Sequence, residues 1–127
     1  MSLFYIGEDV AEGAQLSDED VVVLVAGGEL DYSVSPQLKR GIVEHIDAGA
    51  RRVILDLSEV SFIDSTSIGV LVGVAMKLHE LGHGSLSVVC SQYNKRVLQI
   101  FEIAGVESLI TLQRSREEAL SAVTVAG

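Results

Sequence analysis

Two hydrophobic rhythms alternate along this chain. Short β-branched runs closed by glycine or acidic residues read as strands, and apolar residues recurring every third or fourth position read as helices. Residues 21–25 are Val-Val-Val-Leu-Val, a run that predicts a central strand, and Gly28-Glu29-Leu30-Asp31 reads as the loop after it. Ser35 before Pro36 predicts a helix start, with serine as N-cap and proline in the first helical position. Leu38, Ile42 and Ile46 recur at a spacing of four, Val43 fills the same face, and Gly49 ends the helix.

The rhythm then repeats. Residues 52–57 predict a strand, 58–64 a loop, and 65–81 a second helix stopped by Gly82-His83-Gly84. Residues 86–90 predict a further strand and 94–104 a third helix, with Val97, Leu98 and Phe101 on one side and Gly105 past its end. A short strand over 109–112 follows. Ser115 caps a last helix whose first turn holds Glu117 and Glu118, where the helix dipole favours acids. Ahead of all this, residues 3–6 suit an edge strand and 10–20 an acidic connection.

Strands alternating with helices of this length imply βαβ units, so the expected fold is α/β: one mostly parallel sheet with about four helices and right-handed crossovers. The chain of 127 residues, 48% of them apolar, suits a single domain over 1–127. Its core spans about 20–123, with 1–19 as the N-terminal strand and connection. Acidic residues outnumber basic ones 18 to 9, a net charge of −9. That balance repels nucleic acid and anionic lipid, and it asks for a protein partner with a basic or mixed face. The first ten residues lack the pattern of a signal peptide, and the longest apolar run, 68–76, is far short of the ~20 residues of a membrane helix. A cytoplasmic protein without membrane contact is therefore expected. Cys90 ends an apolar run and reads as a buried strand residue.

The densest chemistry lies at Asp64-Ser65-Thr66-Ser67, between a loop and a helix. Simple capping is one reading, since a carboxylate or hydroxyl here accepts from the first free helical N–H groups. Capping needs one such residue, however, and four stand in a row. A serine at a helix N-terminus also tolerates phosphate, because the free N–H groups and the dipole stabilise the anion. Phosphate there changes the charge of a rigid tip without melting the helix. Below it, Ser65, Gly69 and Gly73 are spaced by four and share a face. Two helical glycines cost about 1 kcal/mol each, so either the helix packs very close to its own sheet or a partner's backbone approaches this stripe. Ile68, Leu71, Val72, Ala75 and Met76 read as the core face, which leaves Val70, Val74 and Lys77 beside the stripe as a docking surface.

Enzymatic readings find little support. His79 and His83 are four apart, but Gly82 interrupts the helix and no third ligand stands nearby. No histidine accompanies Ser65 locally. Gly27-Gly28 lacks the dinucleotide pattern and no phosphate-binding loop occurs, so no cofactor is expected.

The segment from Val53-Ile54-Leu55-Asp56-Leu57 through Val60-Ser61-Phe62-Ile63 to Asp64-Ser65-Thr66-Ser67-Ile68-Gly69-Val70-Leu71 resembles the signature of bacterial anti-sigma factor antagonists, which are single STAS domains. Gly28-Glu29-Leu30-Asp31 and Lys95-Arg96-Val97-Leu98 before Gly105-Val106 add to the likeness, which extends over about residues 20–123. The resemblance implies that Ser65 is phosphorylated by a partner that is both anti-sigma factor and serine kinase. The unphosphorylated form then binds that kinase and frees a sigma factor, and a phosphatase resets the switch. Asp31 and Asp64 match positions near the switch. Ser67 stands where relatives carry glycine, and with Thr66 it is a lesser candidate phosphosite. A scaffold or transport-complex role without phosphorylation is the alternative within the same fold.

Overall fold

A computed structural model describes residues 3–9 and 20–125. The elements run β1 (Phe4–Glu8), β2 (Val21–Leu30), α1 (Ser35–Asp47), β3 (Arg52–Ile63), α2 (Ser65–Glu80), β4 (Ser85–Val89), α3 (Lys95–Ala104), β5 (Ile110–Gln113) and α4 (Arg116–Val125). Of the acidic connection expected over 10–20, only Asp20 lies within the described residues.

The strands form one sheet in the order β1-β2-β3-β4-β5. β1 runs antiparallel to β2, and the other pairs are parallel. Strand alternation sorts side chains to two faces. Val22, Leu24 and Ala26 of β2, with Val53, Leu55 and Leu57 of β3, join Leu38, Ile42, Leu71, Leu78 and Phe101 in one core under α1, α2 and α3. Val23, Ile54 and Val89 point the other way and meet Ala119 and Val123 of α4. The three crossover helices thus cover one face, and among the described residues α4 alone covers part of the other.

β2 and β3 both outrun their expected ends. The loops read at 28–31 and 58–64 are largely strand, because they pair with each other: Glu29 stands opposite Phe62 and Leu30 opposite Ile63. Register shifts at Val25/Gly27 and Gly28/Glu29 break the alternation that would have revealed this pairing. Gly28 makes the crossing possible. Its φ is +89°, and a Cβ there would sit 1.6 Å from the Leu3 carbonyl oxygen, which accepts from Glu29 N–H at 3.1 Å.

Smaller boundaries shift as well. Val34 is the N-cap of α1, so Ser35 is the first helical residue and Pro36 the second. The Ser35 hydroxyl instead donates to the Tyr32 carbonyl at 3.0 Å. Leu81 is the C-cap of α2 rather than its last residue. Cys90 follows β4 and is buried, and burial pushes its thiol pKa up, away from reactivity. Ser115 does cap α4, its hydroxyl accepting from Glu118 N–H at 3.1 Å. Among the described residues no helix is long and apolar enough to cross a membrane.

Candidate functional site

The helices α1, α2 and α3 all begin where β2, β3 and β4 end, so their N-termini gather along one edge of the sheet. Ligands of open α/β sheets bind at that carboxyl edge.

Asp64 is the N-cap of α2, and its Oδ1 accepts from Ser67 N–H at 2.9 Å. Its own N–H donates to the Leu30 carbonyl at 3.1 Å. The Ser67 hydroxyl donates to the same carbonyl at 2.8 Å. The start of α2 is therefore stitched to the end of β2 from two sides. Between these anchors Ser65 and Thr66 are exposed, and among the described residues neither hydroxyl makes a hydrogen bond. As the first two helical residues, their N–H groups are those a helix leaves free.

This geometry corrects three sequence-based expectations. Ser67 is fully buried with its hydroxyl committed to Leu30, so it is no phosphosite candidate in the folded protein. Val74 is 2% exposed and lies in the core beside Leu71, Ala75 and Leu78, so it is not part of a docking surface. Met76, expected in the core, is 50% exposed. The buried set of α2 is Ser67, Ile68, Leu71, Val74, Ala75 and Leu78. At 3.6 residues per turn its centre lies roughly 70° from the face that the apolar pattern suggested. Nearly every position of this helix is apolar or small, which blurs the period.

Gly69 and Gly73 are exposed, and a Cβ built on either meets nothing within 4 Å. Close packing of α2 on its own sheet is therefore not what these glycines serve. Val70 is half-buried against the core, and Lys77 is exposed, 3.8 Å from Asp47 of α1. Asp31 sits in the turn after β2. Its carboxylate accepts from the Ser33 hydroxyl at 2.5 Å and from Ser33 N–H at 2.9 Å. The Ser33 hydroxyl first, then the backbone N–H groups of Ser33 and Val34, hold its pKa below the usual carboxylate value against an opposing effect of burial. Asp31 thus fixes its own turn at the edge where α2 begins.

Two contributors escaped the sequence reading. Asn94 caps α3, accepting from Val97 N–H at 3.4 Å, while its side-chain amide donates to the Val60 carbonyl at 2.7 Å. That bond ties the start of α3 to the strand leading into Ser65. Asp56 is buried in mid-strand. Its Oδ1 accepts from Ser58 N–H at 2.8 Å and from the Ser58 hydroxyl at 2.5 Å, folding the bulge at the base of the β3 extension. Its Oδ2 accepts from Arg116 Nε at 2.7 Å, and the same guanidinium reaches Asp9 at 2.5 Å. An acid inside an apolar strand run was the available signal. Among the described residues no group of three or more His, Cys, Asp or Glu side chains is placed to hold a metal ion.

Comparison with known proteins agrees with this architecture. The STAS domain family matches residues 16–119. The anti-sigma-B factor antagonist of Bacillus subtilis is 32% identical over 101 residues, covering 80% of this chain and 88% of the relative. The anti-sigma-B factor antagonist of Staphylococcus epidermidis is 28% identical over 102 residues, covering 80% and 92%. The anti-sigma factor antagonist SpoIIAA in its unphosphorylated form superposes with a TM-score of 0.70 at 21% identity, covering 94% of this chain and 96% of that one. The Bacillus cell fate determinant SpoIIAA in its phosphorylated form gives 0.61 at 20% identity, covering 94% and 99%.

Proposed function

The chain belongs to the STAS domain family, and from that premise we propose that it is an anti-sigma factor antagonist switched by phosphorylation of Ser65. The unphosphorylated form binds an anti-sigma factor that is also a serine kinase, in the cytoplasm, and so releases a sigma factor. Phosphate on Ser65 ends the binding, and a phosphatase restores it.

One observation carries this reading: at the tip of α2 the two flanking side chains, Asp64 and Ser67, are built into the fold while the Ser65 hydroxyl is exposed between them. Adding a group to Ser65 displaces no structural hydrogen bond. Phosphate brings up to about two negative charges, stabilised on the protein side by the helix N-terminus. In an interface the same dianion must be desolvated, and Asp64 beside it adds to the local negative potential. A penalty of about 3–4 kcal/mol weakens binding several-hundredfold. Gly69 and Gly73, open on the outward side of α2, leave room for a partner's backbone to come close. That the fold tolerates phosphate is supported by SpoIIAA, which shares it and bears the modification.

The test uses the purified anti-sigma factor kinases of the source genome. Ser65→Ala binds one of them and is never released by ATP, whereas Ser65→Asp binds it several-hundredfold more weakly by calorimetry. Mass spectrometry after incubation with ATP places phosphate on Ser65 and not on Thr66. Equal affinity of the two variants, or phosphate elsewhere, overturns the scheme.

A further inference from the structure

The chain has only six aromatic residues, three Phe and three Tyr. Their placement is uneven. Phe101 alone is fully buried, and Phe4 packs at the margin of the core. All four others stand exposed: Tyr5 at 46%, in the antiparallel strand β1, and Tyr32 at 73%, Phe62 at 38% and Tyr93 at 84%, at the ends of β2, β3 and β4. A protein short of aromatic side chains, whose core hardly uses them, places half of them in water at one edge.

Hydrogen bonds tie together the segments that carry the last three. Tyr32 follows Asp31, whose carbonyl, with that of Leu30, receives the Ser67 hydroxyl of α2. Phe62 lies two residues before Asp64 and opposite Glu29. Tyr93 precedes Asn94, whose amide holds the Val60 carbonyl of the same strand extension. The β2–α1 turn, the end of β3 and the β4–α3 turn are thus joined around the tip that carries Ser65. Charge is divided along the same edge. Glu29, Asp31, Glu59 and Asp64 lie at the ends of β2 and β3, and Lys95 and Arg96 stand exposed at the start of α3.

We infer that Tyr32, Phe62 and Tyr93 are the anchors of the surface that receives the anti-sigma factor, an inference that rests on the proposed function and adds which residues carry affinity. Exposed Tyr and Phe side chains bring large apolar area with few rotors to immobilise, and truncating such anchors accounts for much of the binding energy at protein interfaces. The occupant is a protein face with apolar pockets. It carries basic groups opposite the ends of β2 and β3 and acidic groups opposite Lys95 and Arg96. Ser65 lies among the anchors, so a phosphate there disturbs the part of the interface where water is excluded. The switch and the affinity are then separable: one is read at Ser65, the other at the three aromatics.

The test measures affinity of Tyr32→Ala, Phe62→Ala and Tyr93→Ala for the kinase that binds wild type, by calorimetry without ATP. Ile103→Ala, 75% exposed towards the end of α3, is the control. Tyr32→Ala and Tyr93→Ala each weaken binding about thirtyfold, with thermal midpoints unchanged, while Ile103→Ala binds like wild type. Phe62 is partly buried, so its variant is read only after its folding is checked by circular dichroism. Affinities of the tyrosine variants within twofold of wild type, with Ser65→Asp still binding several-hundredfold more weakly, overturn this inference and leave the switch standing. Loss in Ile103→Ala as large as in the tyrosine variants also overturns it. No binding by wild type removes the proposed function itself.

Discussion

On one face of the sheet α1, α2 and α3 bury Leu38, Ile42, Leu71, Leu78 and Phe101 against β2, β3 and β4, all fully shielded from water. On the other, among the described residues, α4 alone covers Val23, Ile54 and Val89 with Ala119 and Val123. Charged contacts do much of the remaining fastening there. Arg116 at the start of α4 bonds Asp56 and Asp9. Arg52 reaches the Val123 carbonyl near its end and Asp20 at 2.8 Å. Apolar burial scales with area and is insensitive to salt, whereas part-exposed ion pairs are screened and contribute little each. Ser65 is mounted on the densely packed side. A switch that is to change a partner's affinity without deforming its own fold belongs on that side.

The sharpest test compares one deletion on each face. Leu71→Ala should cost about 2–5 kcal/mol in urea unfolding, the range for a leucine emptied from a closed core. Val123→Ala should cost about 1–2 kcal/mol, two methyl groups at the rim of a small cluster. Equal losses, or a larger one for Val123→Ala, would mean that both faces are packed alike.

This contrast was half visible in the sequence. The strands and helices announce themselves because their periods are clean: Leu38, Ile42 and Ile46 define the inner side of α1 without ambiguity, and all three are buried. The N-terminal tip of α2 was legible for another reason, since Asp64-Ser65-Thr66-Ser67 sets a carboxylate and three hydroxyls where the helical pattern begins. The orientation of α2 was not. Its valines, glycines and alanine leave no polar side to mark the outside, so Val74 and Met76 exchange places relative to the apolar pattern. The extensions of β2 and β3 were hidden because they pair with each other across bulges that a single strand's alternation does not encode. Nor does local sequence foretell that Asp56 meets a guanidinium 60 residues away. Such long-range pairs depend on topology, which the local pattern constrains only in class.

The outward side of α2 gives a smaller and opposite effect. A Cβ at Gly69 or Gly73 meets nothing, so alanine there should stabilise the free protein by up to about 1 kcal/mol each through helix propensity. If a partner's backbone uses this opening, the same variants bind the anti-sigma factor more weakly although they are better folded. Stability and affinity then move in opposite directions, which a merely destabilising change cannot imitate. A gain in stability with affinity unchanged would show that the stripe serves no partner.

The smallest expected effect probes the sparse face through acid. The Arg52 hydrogen bond, with burial opposing, holds the Asp20 carboxyl below its ordinary value of 3.8. A carboxylate with a depressed folded pKa contributes stability that is fully present above the unfolded value and disappears as pH falls through the folded one. Asp20→Asn should therefore cost under about 1 kcal/mol near neutrality, as a part-exposed pair does. The gap between wild type and variant, read from urea midpoints, should stay constant down to about pH 4 and close below it. Arg52 also holds the last turn of α4 through the Val123 carbonyl, so the variant should loosen amide protection in α4 while leaving α1 to α3 as they are. A gap that persists undiminished to pH 2 would place the contribution of Asp20 in something other than its charge, and the sparse face would no longer differ in kind from the dense one.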